Sequence, residues 1–233
     1  MNKTGWIIFS VVVLALLGGL VAWTRIANPP INLIGVENNS IVAASDQNGN
    51  IADHSTGSKD NKIMLVEFGD YQCPGCEGAY PHVKTLMEQY GDDVTLVFRN
   101  FPLTSIHPNA RAAAAVAEAA GLQGKYWEMH DMLYGSQSDW DSLDTSKRTD
   151  IFNGYASTLG LDVEKFKTDV VAKPVTQKIN FDLALGKSVK VTGTPTFFLN
   201  GEQLDEATTT GIIQGDLTAI KAKLDELVKK NAE

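Results

Sequence analysis

Cys73 and Cys76 are the only cysteines of the chain, and with Pro74 and Gly75 between them they form a Cys-Pro-Gly-Cys motif. Paired thiols at this spacing can hold half of a metal site, form a fixed cross-link, or cycle between dithiol and disulfide. A zinc site normally takes four protein ligands. Beyond the pair the chain offers only His54, His82, His107 and His130, with no second metal-type pair, so no metal is expected. A fixed bridge would close a ring too small to staple much of the fold. Reversible thiol–disulfide exchange is the favoured chemistry.

The flanking residues say how such a pair is held. Ile63 to Phe68 is an apolar run too short and too β-favouring for a helix, and Gly69 and Asp70 end it, which predicts a buried strand. After Cys76 the apolar spacing becomes Tyr80, Val83, Met87 and Tyr90, the period of a helix packed on one side. Pro74 suits the first helical position, where its missing N–H is harmless, so Cys73 falls at or beside the N-cap. Unpaired N–H groups and the positive end of the helix dipole favour a thiolate there. Such thiolates have pKa values roughly 1 to 5 below the free value of about 8.5. Cys73 is therefore the expected reactive sulfur. Cys76, one turn further in and more buried, is the resolving cysteine that attacks Cys73 within a mixed disulfide.

With these residues in place the chain resembles the thioredoxin-like proteins, in particular the membrane-anchored DsbA-like disulfide oxidoreductases, over roughly Asn61 to Lys229. Besides the strand, the Cys-Pro-Gly-Cys motif and the helix, the likeness rests on Pro81, Phe101-Pro102-Leu103, His107-Pro108 and an alanine-rich segment. It extends to Gln123-Gly124-Lys125-Tyr126-Trp127 and Val191-Thr192-Gly193-Thr194-Pro195-Thr196. The resemblance implies a thioredoxin fold with an inserted helical subdomain, an α/β architecture preceded by a transmembrane helix. It makes Pro81 the kink of the first helix, and Pro195 a cis-proline facing the cysteines, exposing the Thr194 backbone to pair with an extended client segment. Glu67 matches the acidic residue that the family keeps under the disulfide, where a buried carboxyl could relay the proton of Cys76; its alternative is a solvated, edge-facing carboxylate.

The resemblance further implies an extracytoplasmic thiol–disulfide oxidoreductase without a cofactor, a dithiol oxidase for reduced or misoxidised exported proteins. A membrane partner of the DsbB or vitamin K epoxide reductase type would reoxidise it. Gly75 departs from the strongest oxidases of the family, which commonly place a His there, and makes a membrane-tethered reductase or isomerase the alternative.

Composition agrees with a folded body: 43% hydrophobic and 21% charged residues are ordinary globular material. The net charge is −8, and without Lys3 and Arg25 the rest holds 18 basic and 28 acidic residues, −10, which argues against nucleic acid as a partner. Trp6 to Trp23 is an uncharged stretch flanked by Lys3 and Arg25. At about 1.5 Å per residue it spans roughly 27 Å as a helix, near the hydrocarbon thickness. A cleaved signal peptide is the rival, but no clear small-x-small site follows Leu20. The expected layout is a cytoplasmic stub and single-pass signal anchor over 1–25, a polar linker over 26–60 and the catalytic domain over 61–233 on the outer face of the cell membrane.

Within the linker Ile51 to His54 is a candidate edge strand; in the catalytic domain Val94 to Phe98 is a central one, followed by a loop over Asn100 to Pro108. Helices are expected over Asn109–Ala120, Lys125–Tyr134, Ser146–Leu159, Asp162 to about Val171 and Pro174–Leu185, placing the insertion at about 105–187. Trp127, Trp140, Tyr126 and Phe152 would build its core and rim. Thr196 to Leu199 reads as a strand, Asn200-Gly201 as a hairpin turn and Glu202 to Asp205 as its return. The last helix carries Leu217, Ile220, Leu224, Leu227 and Val228 on one face, capped by Asp216. Tyr71, Gln72, Phe101 and Pro102 either line a client groove or pack the loop. His82 and His107 are structural or solvated.

Overall fold

The computed structural model describes residues 3–27, 30–58, 60 and 62–232, in two compact units, Met1–Ile34 and Gly35–Glu233. The first holds one helix, α1 (Lys3–Ala27), with Trp6, Leu14, Leu16 and Trp23 exposed. Among the described residues no helix is long and apolar enough to cross a membrane. The expected span, 6–23, includes Ile8, Val21 and Ala22, whose side chains lie outside the described set.

In the second unit five strands form one sheet in the order β1-β3-β2-β4-β5: β1 (His54–Gly57), β2 (Ile63–Gly69), β3 (Val94–Asn100), β4 (Thr196–Leu199) and β5 (Glu202–Gln203). β2 runs parallel to β3 and antiparallel to β4, with Glu67 opposite both Phe98 and Phe197. Side chains alternate across a strand, so Ile63, Leu65 and Glu67 share one face while Val66 and Phe68 take the other. The first face receives α2 (Pro74–Tyr90), α8 (Glu206–Gln214) and α9 (Thr218–Ala232) through Val83, Leu86, Ile212, Ile220 and Leu224. The link between β3 and β4 carries α3 (Ala110–Gly121), α4 (Tyr126–Gly135), α5 (Thr145–Thr158), α6 (Val163–Val170) and α7 (Lys173–Ser188). These helices bury Trp140, Phe152, Phe166 and Tyr126 in a second core that reaches Cys73 and Cys76.

Two expectations on the fold are corrected and one helix is added. The edge strand lies at 54–57, because its register with β3 pairs His54 with Phe98 and Gly57 with Thr95. α8 follows the hairpin where no element was expected: its Thr run and glycine give little helical signal, yet the Asp205 side chain caps it by accepting from Thr208 N–H at 2.8 Å, and Ile212 is fully buried. The segment expected as a polar linker is built into the body from Asn38 to Asp53. Arg99 on β3 donates to Asn38 O (3.0 Å), Ser40 O (2.7 Å) and the Asp53 carboxylate (2.7 Å), and Lys178 on α7 donates to Asp53 (2.8 Å) and Asp182 (2.6 Å). Arg99 and Lys178 are fully buried and need acceptors, which this segment supplies. Gly49, at φ +68°, lets it lie against α7, where a Cβ would fall 2.2 Å from Pro174 O.

Candidate active site

The strand and helix that frame the motif deliver its sulfurs to one point. β2 ends at Gly69, the chain turns with Cys73 N–H donating to Asp70 O (3.0 Å), and α2 begins at Pro74 with Cys73 as N-cap residue. Cys73 is 7% exposed and Cys76 fully buried, both as free thiols. The Thr194–Pro195 peptide is cis, and the Cys73 thiol donates to Thr194 O at 3.2 Å. Thr194 and Pro195, remote in sequence, thus stand against the reactive sulfur. Gly75 completes the contact, since a Cβ there would lie 3.2 Å from Pro195 Cδ and 3.7 Å from Cys73 Sγ.

The two sulfurs are electrostatically unlike. The hydrogen bond from Cys76 is the largest influence on Cys73; with the Thr194 hydroxyl and the Cys76 and Gly75 N–H groups it outweighs burial and lowers the Cys73 pKa to about 5. The Thr194 carbonyl accepts only from the protonated thiol, whereas its hydroxyl, buried and otherwise unpartnered, can donate to the thiolate. Burial pushes Cys76 well above the ordinary thiol value, reinforced by Cys73 and by the negative charge of Glu67. Neutral pH therefore favours a Cys73 thiolate beside a Cys76 thiol.

Glu67 is 3% exposed, so the solvated alternative is not what the structure shows. Burial first, then the charge on Cys73, raises its pKa to about 8. It opens onto a cavity of ≈ 260 Å³ whose lining includes Tyr80, Met87, Trp127, His130 and Tyr134. The Tyr134 hydroxyl is buried without a hydrogen-bond partner. The carboxyl can thus hold or release a proton behind Cys76 at neutral pH.

Sequence reasoning missed the residues that fix the loop. Asp70, 2% exposed, accepts from Gln72 N–H (2.8 Å) and Leu103 N–H (2.8 Å) and contacts His107 Nδ1 at 2.7 Å, so His107 anchors the 101–108 loop. Gln137 donates from Nε2 to Tyr71 O (2.8 Å) and Cys73 O (3.2 Å). Gln72 donates to Asp141 O (2.7 Å) and accepts from Asn109 N–H (2.6 Å). These clamps come from the helical insertion, and no local signal marks them. Tyr71, Phe101 and Pro102 are buried and pack the loop. His82 lies against Gly215, away from these contacts. Among the described residues no cluster of three or more His, Cys, Asp or Glu could hold a metal.

A thioredoxin family model matches residues 49–216. Of solved structures, a thioredoxin-like oxidoreductase from Silicibacter pomeroyi is 26% identical with a TM-score of 0.56, covering 74% of this chain and 97% of that one. BdbD from Bacillus subtilis, in its oxidised form, is 20% identical with a TM-score of 0.63, covering 81% and 97%. The thiol-disulfide exchange protein alpha-DsbA2 from Wolbachia pipientis is 23% identical with a TM-score of 0.62, covering 75% and 87%. Curated relatives include the Na(+)/H(+) antiporters NhaA 1 of Salinispora arenicola, 38% identical over 65% of this chain, and NhaA of Herminiimonas arsenicoxydans, 33% identical over 70%. The chain spans only 22% and 25% of their lengths.

Proposed function

Because the chain belongs to the thioredoxin family and has its DsbA-like form of the fold, we propose that it is a thiol–disulfide oxidoreductase that works as a dithiol oxidase on exported proteins. The observation that carries this is the split between the sulfurs, Cys73 lowered to about 5 and Cys76 raised.

In the oxidised enzyme a client thiolate attacks Cys73 Sγ, the Cys73–Cys76 bond breaks, and Cys76 leaves as a thiolate. Cys76 is a poor thiolate in its buried site, so it takes a proton, and Glu67, protonated at neutral pH, supplies it. The client's second thiolate then attacks the client sulfur of the mixed disulfide. Cys73 leaves as the stabilised thiolate, and the client departs with a new disulfide. Two electrons pass to the enzyme. Resolution by Cys76 attacking Cys73 is the competing reverse step and returns the client reduced. The cis-Pro195 turn presents the Thr194 backbone beside Cys73, where an extended client segment pairs as an added strand.

Reoxidation falls to a quinone-linked membrane protein of the DsbB or vitamin K epoxide reductase type, and the uncharged stretch 6–23 anchors the enzyme beside it with the catalytic unit outside the cytoplasm. The family resemblance and the lack of charge between Lys3 and Arg25 support these assignments. A second reading, a tethered reductase, is favoured by one observation, glycine at position 75.

The reduction potential decides between them. In enzymes of this chemistry a thiolate pKa near about 7 accompanies a potential of about −270 mV, and one near about 3.5 accompanies about −120 mV. Interpolation for a Cys73 pKa of about 5 gives roughly −180 mV. Equilibration in glutathione buffers should give a value above about −200 mV. A value near about −270 mV would discard the oxidase for the reductase.

A further inference from the structure

Away from the cysteines, α3, α5, α6 and α7 enclose an open groove of ≈ 690 Å³. Phe152, Phe166, Val170 and Ile179 give it an apolar wall. Arg111, Arg148 and Lys167 also line it, and among the described residues no aspartate or glutamate does. In a chain of net charge −8 this is an unusual place. Lys167 is already paired with Glu164 at 2.7 Å. The two arginines are not: Arg111 donates to the Asn180 amide oxygen at 2.6 Å, Arg148 donates to the Asn109 amide oxygen, and the Arg148 Nε, buried, has no partner. Guanidinium groups that are partly withdrawn from water and meet only neutral acceptors retain donors for a carboxylate, which they bind bidentately.

Hydrogen bonds link one wall of the groove to the active-site loop. Asn109, which accepts from Arg148, donates its own N–H to the Gln72 side chain at 2.6 Å, and Gln72 precedes Cys73.

We propose that this groove is a second recognition site for the client, taking a segment that carries a carboxylate side chain next to an apolar one, with Arg111 and Arg148 as the anion-binding residues. The identity of the occupant as client rests on the oxidoreductase reading; the binding itself does not. Charge complementarity and the apolar wall select such a segment over a basic or a purely polar one.

The probe is an acetylated, amidated, cysteine-free hexapeptide alternating glutamate and leucine, with a lysine–leucine peptide as control, titrated against the full chain by calorimetry. The acidic peptide should bind and the basic one should not. Arg111→Gln and Arg148→Gln should each weaken binding about tenfold, near 1.4 kcal/mol. Thr149→Glu, at an exposed position lining the groove, should do the same by adding a carboxylate while leaving both arginines in place. Equal binding of the two peptides, or binding indifferent to all three substitutions, overturns the proposal. Arginine-dependent binding to phosphatidylglycerol vesicles without binding of the acidic peptide overturns it in favour of a lipid surface. Because the probe has no thiol, failure of the redox assay leaves this result unaffected. Acidic-peptide binding with an inert Cys73 would sink the client reading and leave the site.

Discussion

Replacing Glu67 with glutamine removes a titrating group while keeping its size, and its consequence follows from where the carboxyl sits. In the native protein its pKa is about 8, against 4.5 when exposed, with burial as the first cause. A carboxyl raised on folding binds its proton more tightly in the native state, so its favourable contribution is complete below pH 4.5 and is lost as pH rises to about 8. At about 1.36 kcal/mol per pH unit the wild type loses about 3 kcal/mol by pH 7 and about 4 kcal/mol by pH 8, levelling at about 5 kcal/mol above it, relative to a neutral side chain. Glu67→Gln should therefore match wild-type stability near pH 4 and exceed it progressively above, reaching a plateau beyond pH 8. Urea unfolding from pH 4 to 9, with the cysteines reduced and again oxidised, measures this. The oxidised form should show a smaller difference, since it lacks the Cys73 thiolate that adds to the shift. The same variant should slow attack on the disulfide at neutral pH, when Cys76 must leave without a proton donor. A stability difference that stays flat between pH 4.5 and 8 would refute the buried, proton-holding carboxyl.

Lys178→Met leaves Asp53 and Asp182 facing each other without their shared cation and should cost about 3–5 kcal/mol in chemical unfolding, whereas a loss under about 1 kcal/mol would show that the buried ion cluster is not stabilising as a unit. Gly75→His places an imidazole beside the sulfur, so the Cys73 pKa, read from thiolate absorbance, should fall below about 5, and the reduction potential should rise with it. An unchanged pKa and potential would mean that the ring does not reach the thiolate. Gln137→Ala strips a donor from the carbonyls of Tyr71 and Cys73 and should cost about 1–3 kcal/mol, with faster hydrogen exchange in residues 71–76; exchange confined to the helical insertion would contradict the clamp.

The reactive centre was legible because each of its parts is a local signal. An apolar run broken by glycine, a proline at the first helical position and a helical apolar period place Cys73 at a helix start whatever the rest of the chain does. The central strands and most helices of the insertion were legible in the same way, through caps such as Asp162 and the Asn200-Gly201 turn. Glu67 was legible as a position but not as an environment. One strand residue faces the core or solvent according to what covers the sheet, and only the packing of α2 and α4 around it decided that it is buried.

What escaped has a common cause. The segment from Asn38 to Asp53 looks like a tether by composition, and it folds because Arg99 and Lys178 lie buried across the sheet and need its carbonyls and its carboxylate. Gln72, Asn109, Gln137 and Asp70 are ordinary polar residues until the helical insertion closes over the active-site loop. By itself the sequence determined the chemistry of this protein, two thiols at a helix start, since helix period and N-terminal dipole are properties of contiguous residues. The meeting of Cys73 with Thr194, the withdrawal of Glu67 from water and the satisfaction of the buried charges were decided by tertiary structure alone, because burial and Coulomb interactions depend on distances between residues up to 125 positions apart.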